Sequence, residues 1–106
     1  YICDQERRGV FKVERDPATG TPLLQSFVAQ FEGRAFIGPQ RVRFTSSGEM
    51  LFTDGGAVGE TSLGQSNGSV YRTVQRRQQL LRLIGGLANP SGLAIDPRNG
   101  VVYVAE

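Results

Sequence analysis

The sequence predicts an all-β chain built from about two copies of one four-stranded unit. Three observations carry that expectation. An internal repeat recurs at about 50 residues, apolar and polar residues alternate within each copy, and glycines and prolines separate short β-rich runs. With 14 Gly and 5 Pro in 106 residues, turns are dense enough for many short strands.

The repeat shows first in three short runs. Tyr1-Ile2-Cys3-Asp4, Leu51-Phe52-Thr53-Asp54 and Tyr103-Val104-Ala105-Glu106 each read large apolar, apolar, small, acidic. Each is expected to be the second strand of its unit. The next strand is expected near Gly9 to Glu14 and near Ser69 to Val74, where Val10-Phe11-Lys12 matches Val70-Tyr71-Arg72. A further strand is expected near Pro22 to Val28 and near Gln79 to Ile84, where Leu23-Leu24 matches Leu80-Leu81. Asp16-Pro17-Ala18-Thr19-Gly20 lies between two of these strands and reads as a turn. The first strand of a unit begins near Pro39, where Val42 and Phe44 alternate with Arg41 and Arg43. Ser46-Ser47-Gly48 then turns the chain into Met50 to Thr53. In the following copy, Leu93 to Ile95, Asp96-Pro97-Arg98-Asn99-Gly100 and Val101 to Ala105 repeat that hairpin.

One segment pulls the other way. From Val74 to Ile84 the chain is rich in Arg, Gln and Leu, with Leu80, Leu81 and Ile84 at helical spacing. By itself it reads as a helix. Its counterpart holds the Asp16–Gly20 turn, so the repeat favours strand, turn, strand.

Four short strands in about 50 residues make one blade of a β-propeller. The units are expected at roughly 1–50 and 51–102, with a third begun at 103. The chain starts and stops within the motif, while a propeller closes with about 4–8 blades. The expectation is a fragment of a single propeller domain, or a module that a partner completes.

Composition narrows the function. The absence of His excludes a Ser-His-Asp or Cys-His nucleophile and any His-ligated metal within this chain. The single cysteine cannot form an internal disulfide, so the compartment stays open. No run approaches the ~20 apolar residues of a spanning helix. Arg72, Arg76, Arg77 and Arg82 fall in an acid-free stretch from 61 to 95. The chain is only +2 overall and few aromatics interleave with these arginines, so a solvated blade edge fits better than a nucleic-acid site.

Together these motifs resemble the six-bladed propellers of the strictosidine synthase-like and gluconolactonase/paraoxonase group, with NHL-repeat propellers as relatives. The resemblance rests on Tyr1–Asp4 with Gly9–Val13, on Glu32-Gly33-Arg34-Ala35-Phe36 leading to Pro39, and on Met50–Asp54. It continues through Gly68–Arg72, Gly86–Ala94 and Val102–Glu106. It implies about two blades of a six-bladed ring. It also implies a small organic molecule, of the lactone or ester class, in a central pocket. The enzyme classes implied are a lactonase or esterase-like hydrolase and a strictosidine synthase-like lyase. The other reading is a non-catalytic NHL-like propeller that serves as a protein-interaction scaffold. Metal-dependent members bind a central divalent cation, usually Ca²⁺, partly through two asparagines, and here those positions hold Gln40 and Ser91. Gln offers a carbonyl on a longer arm and Ser only a hydroxyl, while hard cations need several well-placed oxygens. No tight Ca²⁺ site is expected unless Gln40 and other blades supply ligands. The expected partners are the remaining blades or a self-associating copy.

Within the chain, no residue is identifiable as catalytic by motif. Asp4, Asp54 and Glu106 hold equivalent strand-end places. As acid–base groups they would need close pairing, so the better reading is structural: each accepts backbone N–H groups of the loop that follows. Cys3, in a small-residue position, reads as a packed and unreactive thiol. The long loop 55–67 follows no phosphate-cradle pattern. At one rim of the ring, its Val58, Leu63 and Gln65 are the candidates for contact with a ligand or partner.

Overall fold

A computed structural model describes residues 1–56, 67–74 and 79–106. Among these residues every regular element is a strand: β1 Ile2–Asp4, β2 Gly9–Arg15, β3 Pro22–Val28, β4 Gln30–Phe31, β5 Arg34–Ala35 and β6 Pro39–Phe44. They continue as β7 Met50–Asp54, β8 Gly68–Val74, β9 Gln79–Leu87, β10 Gly92–Ile95 and β11 Val102–Ala105. The all-β expectation holds, and no described helix is long and apolar enough to cross a membrane.

All pairings are antiparallel between sequence neighbours. β1-β2-β3 form a three-stranded sheet, β6-β7-β8-β9 a four-stranded meander, and β10-β11 a two-stranded one. The small β4-β5 hairpin bridges the first two sheets in sequence. Its turn, Glu32-Gly33, has φ values of 50° and 78°, the paired positive φ of a type I′ turn.

The four-stranded sheet is covered on both faces, and period 2 decides which residues face which way. Met50 and Phe52 of β7 join Val10, Phe36 and Tyr71 in one core cluster, toward the three-stranded sheet. Leu51 joins Val70, Leu87 and Leu93 in the other, toward β10-β11. A strand buried on both sides reads as a continuous apolar run rather than an alternation. That is why all five residues of Met50–Asp54 are buried. Tight backbone approach locks the second interface. A Cβ on Gly55 would lie 2.5 Å from Pro90 Cδ, and one on Gly68 would lie 2.7 Å from it.

The segment with helical composition is strand on both sides of residues 75–78. β8 ends at Val74 and β9 begins at Gln79, with Val74↔Gln79, Thr73↔Leu80 and Arg72↔Leu81 paired. Ladder pairing and the packing of Leu80 against the first core cluster override the propensity of Gln, Leu and Arg. The expected solvated edge of arginines needs correction for one residue. Arg72 is half-buried and ion-paired with Glu49, while Arg82 is exposed, its guanidinium 5.9 Å from the Phe31 ring centroid. Arg76 and Arg77 lie outside the described residues. On β9, Leu81, Leu83 and Ile84 remain 43–50% exposed, as do Leu23 and Leu24 of β3 at 49% and 43%.

Candidate functional site

Strand register builds one polar wall. On β8, Ser69 and Tyr71 are two residues apart and so share a face. Asp54 pairs with Ser69 from β7, and Arg82 pairs with Tyr71 from β9. The β4-β5 hairpin stands opposite, with the Phe31 ring 5.0 Å from Tyr71. Between hairpin and sheet lies a cavity of about 510 Å³, lined on the sheet side by Asp54, Ser69, Tyr71 and Arg82. Phe31, Glu32, Arg34 and Ile37 close its other side. Tyr71 also belongs to an aromatic cluster with Phe36 and Phe52, centroids 5.3–5.4 Å apart, edge-on to Phe36 and stacked on Phe52.

Asp54 is 4% exposed, and its carboxylate ties down the chain that leads into β6. Gly38 N–H donates to Oδ1 at 2.7 Å and Ile37 N–H to Oδ2 at 3.1 Å. Burial nevertheless raises its pKa, outweighing those two hydrogen bonds and the nearby Arg8 charge. Burial also raises the Tyr71 pKa, so its phenol stays neutral. Side-chain hydrogen bonding with Ser69 and Arg82 pulls the pKa the other way, more weakly.

The strand-end acids do anchor backbone, but not all as expected. Asp4 accepts Arg7 N–H at 3.0 Å, from the loop that follows. Asp54 and Glu106 instead reach back to the segment before the first strand of their unit. Glu106 Oε2 accepts Ala88 N–H at 2.7 Å, the counterpart of the Ile37 bond to Asp54. The cause is the tight return of each hairpin, which brings the end of the second strand beside the start of the first. Cys3 packs on the first core cluster, and burial pushes its thiol up to about 11.

Gln40 and Ser91, at the expected cation-ligand positions, do not form a pair of oxygen donors. Gln40 Nε2 donates to the Gly56 carbonyl and, at 3.3 Å, to Asn89 Oδ1. A backbone carbonyl only accepts, so the amide nitrogen must face it. Gln5 Nε2 adds a donor to the same carbonyl at 3.3 Å. Gln40 Oε1 is buried with no partner among the described residues. Ser91 joins the ladder through its own N–H, donated to Ala105 O at 3.0 Å. The N–H groups go to the Gly56 carbonyl and to Asn89 Oδ1, while Gln40 Oε1 keeps its lone pairs. Asn89, which the sequence reading passed over, is the residue that meets Gln40; its φ of 45° is one that Asn tolerates.

Val58, Leu63 and Gln65 lie outside the described residues. Asn67, at the end of that same connection, lines the cavity. The sequence reading missed Arg34, Ser69, Tyr71 and Arg82 as site residues. Two signals pointed to them: the period-2 sequence of β8, and Glu32-Gly33 as a hairpin turn that sets Phe31 and Arg34 over the sheet.

Fold and site together define an all-β protein of antiparallel sheets with a polar cavity between a short hairpin and the four-stranded sheet. In sequence the chain is gluconolactonase-like. It is 30% identical over 112 residues to a gluconolactonase of Zymomonas mobilis, an alignment that takes in 99% of this chain and 30% of that protein. The chain thus spans about a third of its relative's length. No family model matches the chain. No solved structure matches it either.

Proposed function

We propose that this chain is roughly two blades of a six-bladed, gluconolactonase-like β-propeller. Its units are about 1–50 and 51–102, with a third begun at 103. The complete protein binds and hydrolyses a small lactone or ester in a central pocket. The observation that carries this reading is the 30% identity to a gluconolactonase across 99% of the chain. The four-stranded meander, flanked by three strands before it and two after it, supports the blade assignment. So does the matched bonding of Asp54 to Ile37 and of Glu106 to Ala88.

The remaining blades, or a second copy of this chain, cover the exposed apolar residues of β3 and β9. The reaction proceeds without a Ca²⁺ site built by Gln40 and Ser91. The test is hydrolysis of glucono-δ-lactone by the complete protein, followed as proton release in weak buffer. Turnover well above the uncatalysed rate is the expected result. Background rates together with no detectable lactone binding would leave the scaffold reading in its place.

A further inference from the structure

We infer that the cavity between the β4-β5 hairpin and the four-stranded sheet is a binding site for a small hydroxycarboxylate. Arg82 and Arg34 receive its carboxylate, and Asp54 accepts one of its hydroxyls.

The cavity has two chemically different ends, and the ladder sets their separation. Asp54 is level with Ser69, and Arg82 is level with Tyr71. Ser69 and Tyr71 are one same-face step apart on β8, about 7 Å in an extended strand. That is roughly the reach of a five- or six-carbon chain. The volume of about 510 Å³ lies within the range of small-molecule sites.

The cationic end is built to take an anion. Arg82 stands across the ladder from Tyr71, with its guanidinium 5.9 Å from the Phe31 ring centroid. A guanidinium carries five N–H donors, so Arg82 keeps donors for a carboxylate, which it can hold in two-point fashion. Arg34 lines the same cavity and forms no ion pair among the described residues. The acidic end is built to accept. Each Asp54 oxygen takes one backbone N–H and retains a lone pair, which suits a hydroxyl and repels a second carboxylate. Ser69 and Asn67 add neutral partners for further hydroxyls. A plain carboxylate leaves the Asp54 end unused, and a plain polyol leaves the two arginines unanswered. A molecule with both groups answers both ends.

The inference deepens the lactonase reading, because water added across a lactone's acyl C–O bond leaves a carboxylate and a hydroxyl on one molecule. The choice of ligand class, however, rests on the lining alone. Calorimetric titration of the complete protein with gluconate, and with sorbitol as the uncharged control, tests it. Gluconate should bind and sorbitol should bind far more weakly. Arg82→Gln should weaken gluconate about 10- to 100-fold, the usual effect of losing a hydrogen-bonded charge partner. Arg34→Gln, at an exposed position outside the buried core, should weaken it in the same direction with little change in melting temperature. The inference is overturned if gluconate does not bind, if sorbitol binds equally well, or if both arginine variants bind gluconate like the wild type. Lactone turnover, measured on the same samples, separates the two ideas. Turnover with arginine-independent gluconate binding sinks this site and spares the lactonase reading. Arginine-dependent binding with no turnover does the reverse.

Discussion

Replacing Asp54 with alanine in the complete protein should lower the unfolding free energy by about 2 kcal/mol, within a range of about 1–3. The figure follows from what the carboxylate holds. Gly38 N–H is buried and donates at 2.7 Å; with its acceptor gone it is left unsatisfied, which costs about 1–3 kcal/mol. Ile37 N–H is half-buried and can turn to water, so its loss adds about 0.5–1 kcal/mol. Against this, the mutation relieves the cost of keeping a charge at a site that is 4% exposed. Asp54→Asn should recover part of the loss, since its carbonyl serves one N–H while its NH₂ opposes the other. The pH trend has a definite sign. Burial lifts the folded-state pKa of Asp54 above 3.8, so the folded state holds this proton more tightly than the unfolded state. The contribution is full below the ordinary pKa and falls away as pH rises through the raised one. The gap between wild type and Asp54→Ala should therefore widen as pH falls from neutral towards ~4. Urea unfolding across that range is the assay. A loss under ~0.5 kcal/mol, or a gap that narrows on acidification, would refute the reasoning.

Gly68→Ala should destabilise by about 1–3 kcal/mol, because its Cβ would meet Pro90 Cδ at 2.7 Å and the Leu87 carbonyl at 2.8 Å; an unchanged melting temperature would show that this contact yields freely. With its thiol at about 11, Cys3 should react with a disulfide reagent at pH ~8 about 100-fold more slowly than in the unfolded protein, and equal rates would contradict its burial. Millimolar Ca²⁺ should not raise the melting temperature through Gln40, whereas Gln40→Ala should lower it with or without the ion. Stabilisation by Ca²⁺ that vanishes in Gln40→Ala would mean that Oε1 faces a cation. Replacing 57–65 with a short Gly-Ser link should change ligand binding while leaving stability nearly unaltered, and collapse of the fold would identify a structural strut instead. Gly56 must be spared in that variant, since Gly38 O, Gln40 and Gln5 all bond its backbone.

The strand positions were legible because they depend on local chemistry. Alternation in Arg41–Phe44, the turn Asp16–Gly20 and the matched runs at Tyr1, Leu51 and Tyr103 each operate within a few residues. A strand or turn is largely set by its own φ, ψ preferences and by which face must be apolar. Even the helix-like composition of Gln79–Ile84 yields to strand, as its repeat partner implies. The site was not legible in the same way. Gln40 meets Asn89 across 49 residues, Gln5 meets Gly56 across 51, and Asp54 binds Ile37 and Gly38 rather than the loop after it. Such contacts depend on how neighbouring sheets stack and on register shifts, such as the one between Val70 and Tyr71 that sets Arg82 opposite the phenol. A hydrogen bond is decided to a few tenths of an ångström by that stacking. A sequence repeat specifies which strands exist, and only packing specifies which side chains they bring face to face.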